Sequence, residues 1–215
     1  MDGNPEFRAD LSLGAVILAA GASTRMGSPK MLLPWGDTSI LGHTIRLWRA
    51  LGAAQITVVC AGQTHPVWSE LDRLGFPSVS RIINAHPELG MFESILSAAR
   101  WTGWDQRLTH WALILGDQPH VGADTLKQLL KFARSHASEL CQPIHGGRRH
   151  HPVIFPKQVF LELSQTAANT LKDFLEPRRQ SAAQCEIDDP GLALDLDRPE
   201  VYEIARKRFE NPSQG

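Results

Sequence analysis

The sequence predicts an α/β fold, a mainly parallel sheet with helices on both faces and a small antiparallel addition. Three observations predict it. Short, continuously apolar runs alternate with stretches of helical periodicity through the earlier part of the chain. The apolar runs do not alternate with polar residues, as expected of strands covered on both faces. Paired short strands then crowd the later part, where antiparallel pieces fit.

Taken in order, Ala15 to Ala19 is an all-apolar strand running into glycine. Thr38 can cap a helix in which Ile40, Leu41, Ile45, Trp48 and Leu51 recur at helical spacing. Gln55 to Cys60 reads as the second strand, His65 to Leu74 as a helix and Val79 to Ile83 as a third strand. Phe92 to Arg100 has Ile95, Leu96 and Ala99 on one helical face, and Trp111 to Leu115 is a buried strand stopped by Gly116-Asp117. Asp124 can cap a helix carrying Leu126, Leu129, Leu130 and Ala133. Strands at Leu140 to Pro143 and Val153 to Phe155 flank a loop from Gly146 to His151. Helical pieces at Gln158 to Leu163 and Leu171 to Leu175, a strand at Gln184 to Ile187 and a helix after Pro199 follow. No repeat or linker interrupts this order, so residues 11–215 read as one domain and residues 1–10 as a flexible leader.

Composition narrows the function. The 215 residues, 42% hydrophobic and 21% charged, suffice for a large core without disulfide or metal staples and exclude a disordered or coiled-coil chain. Lys and Arg number 22 against 23 Asp and Glu, so no net field draws the protein to nucleic acid or to an anionic membrane. Cys60, Cys141 and Cys185 are odd in number and form no CxxC pair, which fits a reducing compartment and neither a zinc site nor a disulfide framework. The uncharged run Leu11 to Thr24 follows Asp2, Glu6 and Asp10 against Arg8, the wrong charge for a secretory leader. It is also shorter than the ~18 residues a membrane helix needs. A cytoplasmic protein is expected.

The first strand delivers Leu18-Ala19-Ala20-Gly21-Ala22-Ser23-Thr24-Arg25-Met26-Gly27-Ser28-Pro29-Lys30. In such folds ligands bind beyond the carboxyl ends of the strands. Small residues let the backbone approach a ligand, and successive N–H groups can form an anion nest. Arg25 can fork across phosphate oxygens, while Lys30 adds a point charge. The loop is neither a Walker A motif, since Gly27 is followed by Ser28-Pro29-Lys30-Met31, nor GxGxxG, since Ser23 stands two residues after Gly21. By itself it also reads as an ordinary turn with two surface cations.

This loop resembles the signature loop of nucleotidyltransferases with a GT-A-like, three-layer Rossmann-like fold. Its short form, followed by Met31-Leu32-Leu33-Pro34-Trp35, is most similar to the MobA-like NTP transferases and among them to molybdenum cofactor cytidylyltransferases. The resemblance continues through Asn84 with Gly90-Met91-Phe92-Glu93-Ser94, through Gly116-Asp117-Gln118-Pro119, through Arg149-His150-His151-Pro152-Val153 and through Asp195-Leu196-Asp197-Arg198-Pro199-Glu200, over about residues 13 to 208. Two positions depart from the family pattern: His150 stands where glycine is usual, and Arg198 replaces the usual threonine.

The resemblance implies nucleotidyl transfer, in which a phosphate on the acceptor attacks the α-phosphorus of an NTP and pyrophosphate leaves. It implies a nucleotide site of Leu18, Ala19, Ala20, Gly21, Ser23, Arg25, Lys30, Asn84 and Ser94, with Arg25, Lys30 and Asp117 as the catalytic set. Arg25 falls to the β- and γ-phosphates and Lys30 to the α-phosphate. Asp117 and Asp197 are the expected Mg²⁺ ligands, with Asp195 the alternative to Asp197, and Leu194 to Asp197 also reads as a half-exposed strand. Arg149 and His151, with Arg148, are expected at an anionic acceptor. The nine histidines, His145, His150 and His151 among them, have no acidic or cysteine partner at zinc-ligand spacing. Trp35, directly after the loop, is marked as a residue near the site. Ala20-Gly21, where guanosine-attaching relatives usually carry Gly-Gly, points to CTP ahead of GTP. The implied acceptor is a molybdopterin-type cofactor, with a molybdenum hydroxylase as client. Two alternatives stand beside this reading: a nucleotidyltransferase for a sugar phosphate or other small phosphate, and a non-catalytic carrier of molybdenum cofactor.

Overall fold

The computed structural model describes residues 11–21 and 29–210. The leader 1–10, Ser23 and Arg25 lie outside the described residues. The central strand, β1 (Leu13–Leu18), is fully buried. Its parallel neighbours are β4 (Gln55–Cys60) on one side and β6 (His110–Leu115) on the other. Beyond β4, β5 (Arg81–Ile83) continues the parallel half. Beyond β6 the sheet changes sense: β9 (Val153–Pro156) runs antiparallel to β6, and β7 (Cys141–His145) runs antiparallel to β9. The strand β10 (Ala183–Glu186) closes that edge parallel to β7, and the short β8 (Arg148–Arg149) folds back on β7. The order across the sheet is β10-β7-β9-β6-β1-β4-β5.

The period of two along β1 assigns the two faces. Ala15 and Ile17 point to a core built with α1 (Ile40–Ala50), α2 (Pro66–Arg73), α4 (Ala123–Ser135) and α7 (Pro199–Glu210). Val16 and Leu18 point to a second core built with α3 (Met91–Arg100), α5 (Lys157–Glu162) and α6 (Leu171–Leu175). This gives three layers, as the continuous apolar strands predict. In the second core the rings of Trp111 and Phe160 stack with centroids 4.7 Å apart. Each such side chain contributes roughly 1.5–3 kcal/mol through burial.

Local details correct several expectations. Thr38 does not cap α1. It pairs with Trp35 in a hairpin of β2 (Pro34–Trp35) and β3 (Thr38–Ser39), and the Ser39 hydroxyl accepts the Gly42 N–H at 3.0 Å instead. Gly122 caps α4, which leaves Asp124 inside its first turn, where a carboxylate favours the helix dipole. The third strand starts at Arg81 because Pro77 opens a 3₁₀ turn over Ser78–Ser80. Leu194 to Asp197 forms no strand. Cys60, Cys141 and Cys185 are free and buried. Burial pushes the Cys60 and Cys141 thiols up to about 12 and raises Cys185, so none is a nucleophile at neutral pH. No helix among the described residues is long and apolar enough to cross a membrane.

Candidate active site

The site forms where β1 and β6 end together. Leu18 lies opposite Leu115, so the segments after both strands leave the same edge of the sheet. The Gly116 N–H donates to the Leu18 carbonyl at 3.1 Å, tying the two exits together. A Cβ on Gly116 would sit 2.8 Å from that carbonyl oxygen and 2.8 Å from Met31 Cε. Backbone cannot yield as a flexible side-chain end can. We therefore expect Gly116→Ala to destabilise the fold by about 1–3 kcal/mol, read as a lowered midpoint in urea unfolding. An unchanged midpoint would show that the two strand ends can separate freely.

Asp117 follows directly. Lys30 approaches it from the other strand exit on a 3₁₀ turn, Lys30–Leu32, closed by Leu32 N–H to Pro29 O at 2.9 Å and Leu33 N–H to Lys30 O at 3.0 Å. The next residue, Met31, is buried against Gly116. The Lys30 side chain is only 9% exposed, and its Nζ donates to Asp117 Oδ2 at 3.0 Å and to Asp197 Oδ1. Burial alone lowers the lysine pKa, but the hydrogen bond Lys30 donates to Asp197 and the charge of Asp117 outweigh it and hold Lys30 above its ordinary value. The lysine is thus a fixed cation at neutral pH. Both carboxylates stay partly exposed, 33% for Asp117 and 29% for Asp197, so each keeps oxygen surface for a ligand.

Asp195, the alternative to Asp197, lies in the turn beside it. Its Oδ1 accepts the Asp197 N–H at 3.0 Å, forming a local Asx-type turn. On the β1 side, the Ala19 N–H bonds to Val59 O at 2.9 Å and Ala20 is buried, while Gly21 is exposed. Ala19 belongs to the apolar core, whereas Ala20 belongs to neither core cluster. Asn84 is fully buried after β5. Its amide donates to Ser94 Oγ at 2.9 Å and accepts the His86 N–H at 2.8 Å, so this pair shapes the loop between β5 and α3.

The remaining expected residues lie on the β7–β9 side. His151 bonds through Nδ1 to the Leu113 carbonyl at 3.4 Å. Burial lowers its pKa against the opposing pull of that carbonyl and of Asp117, so its ring is neutral at neutral pH. Arg149 donates to the Arg179 carbonyl at 3.1 Å, and Arg148 is exposed. His145 meets the Ile187 carbonyl at 3.1 Å. Trp35 is not a site residue: it is fully buried, ringed by His43, Tyr202 and Phe209. Tyr202, whose hydroxyl donates to Pro34 O at 2.5 Å, had no local signal in the sequence beyond its place on the helical face of α7.

Two partly exposed carboxylates fit a hard divalent cation that takes one or two protein oxygens and completes its shell with phosphate oxygens and water. Among the described residues no cluster of three or more His, Cys, Asp or Glu forms a closed metal cage. A fixed cation beside such a pair, at the exit of a doubly wound sheet, serves the transfer of a charged phosphoryl group. The fold and the site together define a nucleotidyltransferase. The chain belongs to the MobA-like NTP transferase domain family, whose domain matches residues 15–184. It is 24% identical over 204 residues to the molybdenum cofactor cytidylyltransferase of Escherichia coli K12, covering 92% of this chain and 97% of that protein. It is 35% identical over 123 residues to the bifunctional protein GlmU of Stutzerimonas stutzeri, covering 56% of this chain and spanning only 25% of that protein. The Rv0371c protein of Mycobacterium tuberculosis H37Rv, solved in complex with manganese, superposes with a TM-score of 0.64 at 25% identity, covering 91% of this chain and 98% of that one.

Proposed function

We propose that the protein transfers CMP from CTP to the phosphate of a molybdopterin-type cofactor and releases pyrophosphate. The observation that carries nucleotidyl transfer is Lys30 held between Asp117 and Asp197 where β1 and β6 end. The acceptor class is supported by the E. coli relative, which this chain matches over nearly the whole length of both. CTP is supported by Ala20-Gly21 at the end of β1.

The chemistry asks little proton transfer of the protein. A phosphate monoester with a second pKa near ~6 is mostly dianionic at neutral pH and is already a nucleophile. Its oxygen forms a bond to the α-phosphorus as the bond to the β-phosphate oxygen breaks, and pyrophosphate carries off the electron pair. The difficulty is bringing two polyanions together in line. Lys30 is assigned to the α-phosphate, Arg25 to the β- and γ-phosphates, and Leu18 to Gly21 with Ser23, Asn84 and Ser94 to the nucleotide. Asp117 and Asp197 are the residues that would hold Mg²⁺, and the mycobacterial neighbour's complex with manganese supports the use of a divalent ion. When bound, such an ion neutralises phosphate charge and polarises the transferred group. Arg149 and neutral His151 are assigned to the acceptor. The nucleotide-bearing product suits a molybdenum hydroxylase in the cytoplasm as client.

The test is pyrophosphate release from CTP and GTP with molybdopterin and with sugar phosphates as acceptors. We expect turnover with CTP and molybdopterin, and a higher kcat/KM for CTP than for GTP. A methyl at Ala20 crowding a purine costs about 1–3 kcal/mol, which is about ten- to two-hundred-fold discrimination. Ala20→Gly is then expected to shift the ratio toward GTP with little change in thermal melt. A wild-type preference for GTP overturns the cytidylyl reading, and turnover only with a sugar phosphate overturns the acceptor. Tight molybdopterin binding without pyrophosphate release would favour the carrier.

A further inference from the structure

Lys30 and Asp197 are 167 residues apart in sequence, yet their side chains meet. A second contact joins the same two segments a few residues away on each side. Downstream of Lys30, the closed 3₁₀ turn leads into Pro34 and Trp35 of the β2–β3 hairpin, and the Ile40 N–H returns to the Leu33 carbonyl at 2.9 Å. Downstream of Asp197, α7 begins, and its first turn is closed by the Tyr202 N–H on the Arg198 carbonyl at 3.0 Å. The Tyr202 hydroxyl donates to the Pro34 carbonyl at 2.5 Å and so joins the two segments. Tyr202 is 6% exposed, so water competes poorly for that bond.

Aromatic packing braces the same joint. The buried Trp35 ring lies 6.4 Å from Tyr202 and 5.1 Å from Phe209, centroid to centroid, and Phe209 meets His43 of α1 edge-on at 4.9 Å. Gly36, at φ +60°, allows this approach, because a Cβ there would sit 3.2 Å from Phe209 Cε1. Rings hold the helix against the hairpin at Tyr202 and Phe209, and the Tyr202 hydroxyl adds a directional polar contact near the start of the helix.

We propose that Tyr202 is a positioning residue of the nucleotidyl-transfer site: its bond to Pro34 fixes Asp197 against Lys30 and Asp117 and so sets the cation affinity of the carboxylate pair. Tyr202 touches neither nucleotide nor metal in this role. It acts through the short rigid path from its hydroxyl to Asp197 on one side and from Pro34 to Lys30 on the other. The proposal rests on the assignment of Asp117 and Asp197 to a divalent cation.

The test uses Tyr202→Phe, which keeps the ring and removes only the hydroxyl. Mn²⁺ is the probe, with free Mn²⁺ followed by electron paramagnetic resonance. The dissociation constant of Mn²⁺ is expected to rise about two- to tenfold, the range of one hydrogen bond's net contribution. Turnover is expected to fall with it while KM for the nucleotide stays unchanged. Leu163→Ala, in the opposite core, is the control for stability loss alone, since Leu163 is fully buried far from this joint in sequence and layer. Tyr202→Phe with wild-type Mn²⁺ affinity, or with a loss no larger than that of Leu163→Ala, overturns the positioning role. Asp197→Asn separates the two failures. If Asp197→Asn weakens Mn²⁺ binding and Tyr202→Phe does not, only the positioning role falls. If neither changes it, the metal assignment of Asp197 falls and takes the positioning role with it.

Discussion

Asp117→Asn is expected to lower turnover by about 10³-fold while the protein stays folded. The amide has the size of the carboxylate, and its carbonyl can still accept the Lys30 ammonium, which now lies 3.0 Å from Asp117 Oδ2. What disappears is the negative charge, and with it one of the two carboxylates proposed to hold a divalent cation. Position argues that no neighbour replaces it: Asp117 stands at the end of β6, tied to β1 through Gly116, and among the described residues no third acidic or imidazole group joins the pair. The effect should fall on turnover at saturating nucleotide and be softened by higher Mg²⁺. Circular dichroism and a urea midpoint near wild type establish folding in parallel. A folded Asp117→Asn protein with wild-type turnover would remove Asp117 from the chemistry.

Lys30→Ala carries the second large effect, and it has two parts. Turnover is expected to fall about 10²- to 10³-fold with little change in KM for the nucleotide, because the α-phosphate region changes its charge most on the way to the transition state. A raised KM with unchanged kcat would place Lys30 on the ground-state phosphates instead. The other part concerns stability. Without the ammonium, Asp117 and Asp197 lose the cation that bonds to both carboxylates. Orphaning a fully buried ion pair costs about 3–5 kcal/mol. Here about a third of each carboxylate side chain stays exposed, so the loss is smaller. A divalent cation is expected to restore part of the thermal stability of Lys30→Ala and to do less for wild type.

The layers and most elements were legible in the sequence because they depend on local periodicity. Continuous apolar runs gave β1, β4 and β6, and the spacing of Ile40, Leu41, Ile45 and Trp48 gave the inner face of α1. Boundaries failed where a short turn competed with a cap. Thr38 and Ser39 are equally good caps by type, and only the hairpin pairing of Thr38 with Trp35 decides for Ser39. The packing role of Trp35 is hidden for the same reason: its neighbours in space, Tyr202 and Phe209, are far away in sequence. Asp117 was readable from its place at a strand end, whereas Asp197 came from motif resemblance. Alternating Leu and Asp at 194–197 reads equally well as a strand, and the turn held by Asp195 is invisible to periodicity. The Tyr202–Pro34 bond, spanning 168 residues, had no sequence signature at all.

The distance in sequence between Lys30 and Asp197 also orders events during synthesis. Chains grow at roughly 5–20 residues per second, so about ten to thirty seconds separate the appearance of these two residues. Within that interval β1 can pair with β4 and then β6 as each emerges, but the lysine has only Asp117 to meet. The competent pocket closes only when Asp197 and the helix behind it have been made and have docked on the hairpin near the lysine. A nascent chain therefore carries the parallel half of the sheet, β1, β4, β5 and β6, long before Asp197 can join Lys30 and Asp117, whereas the edge strand β10 is made only just before it.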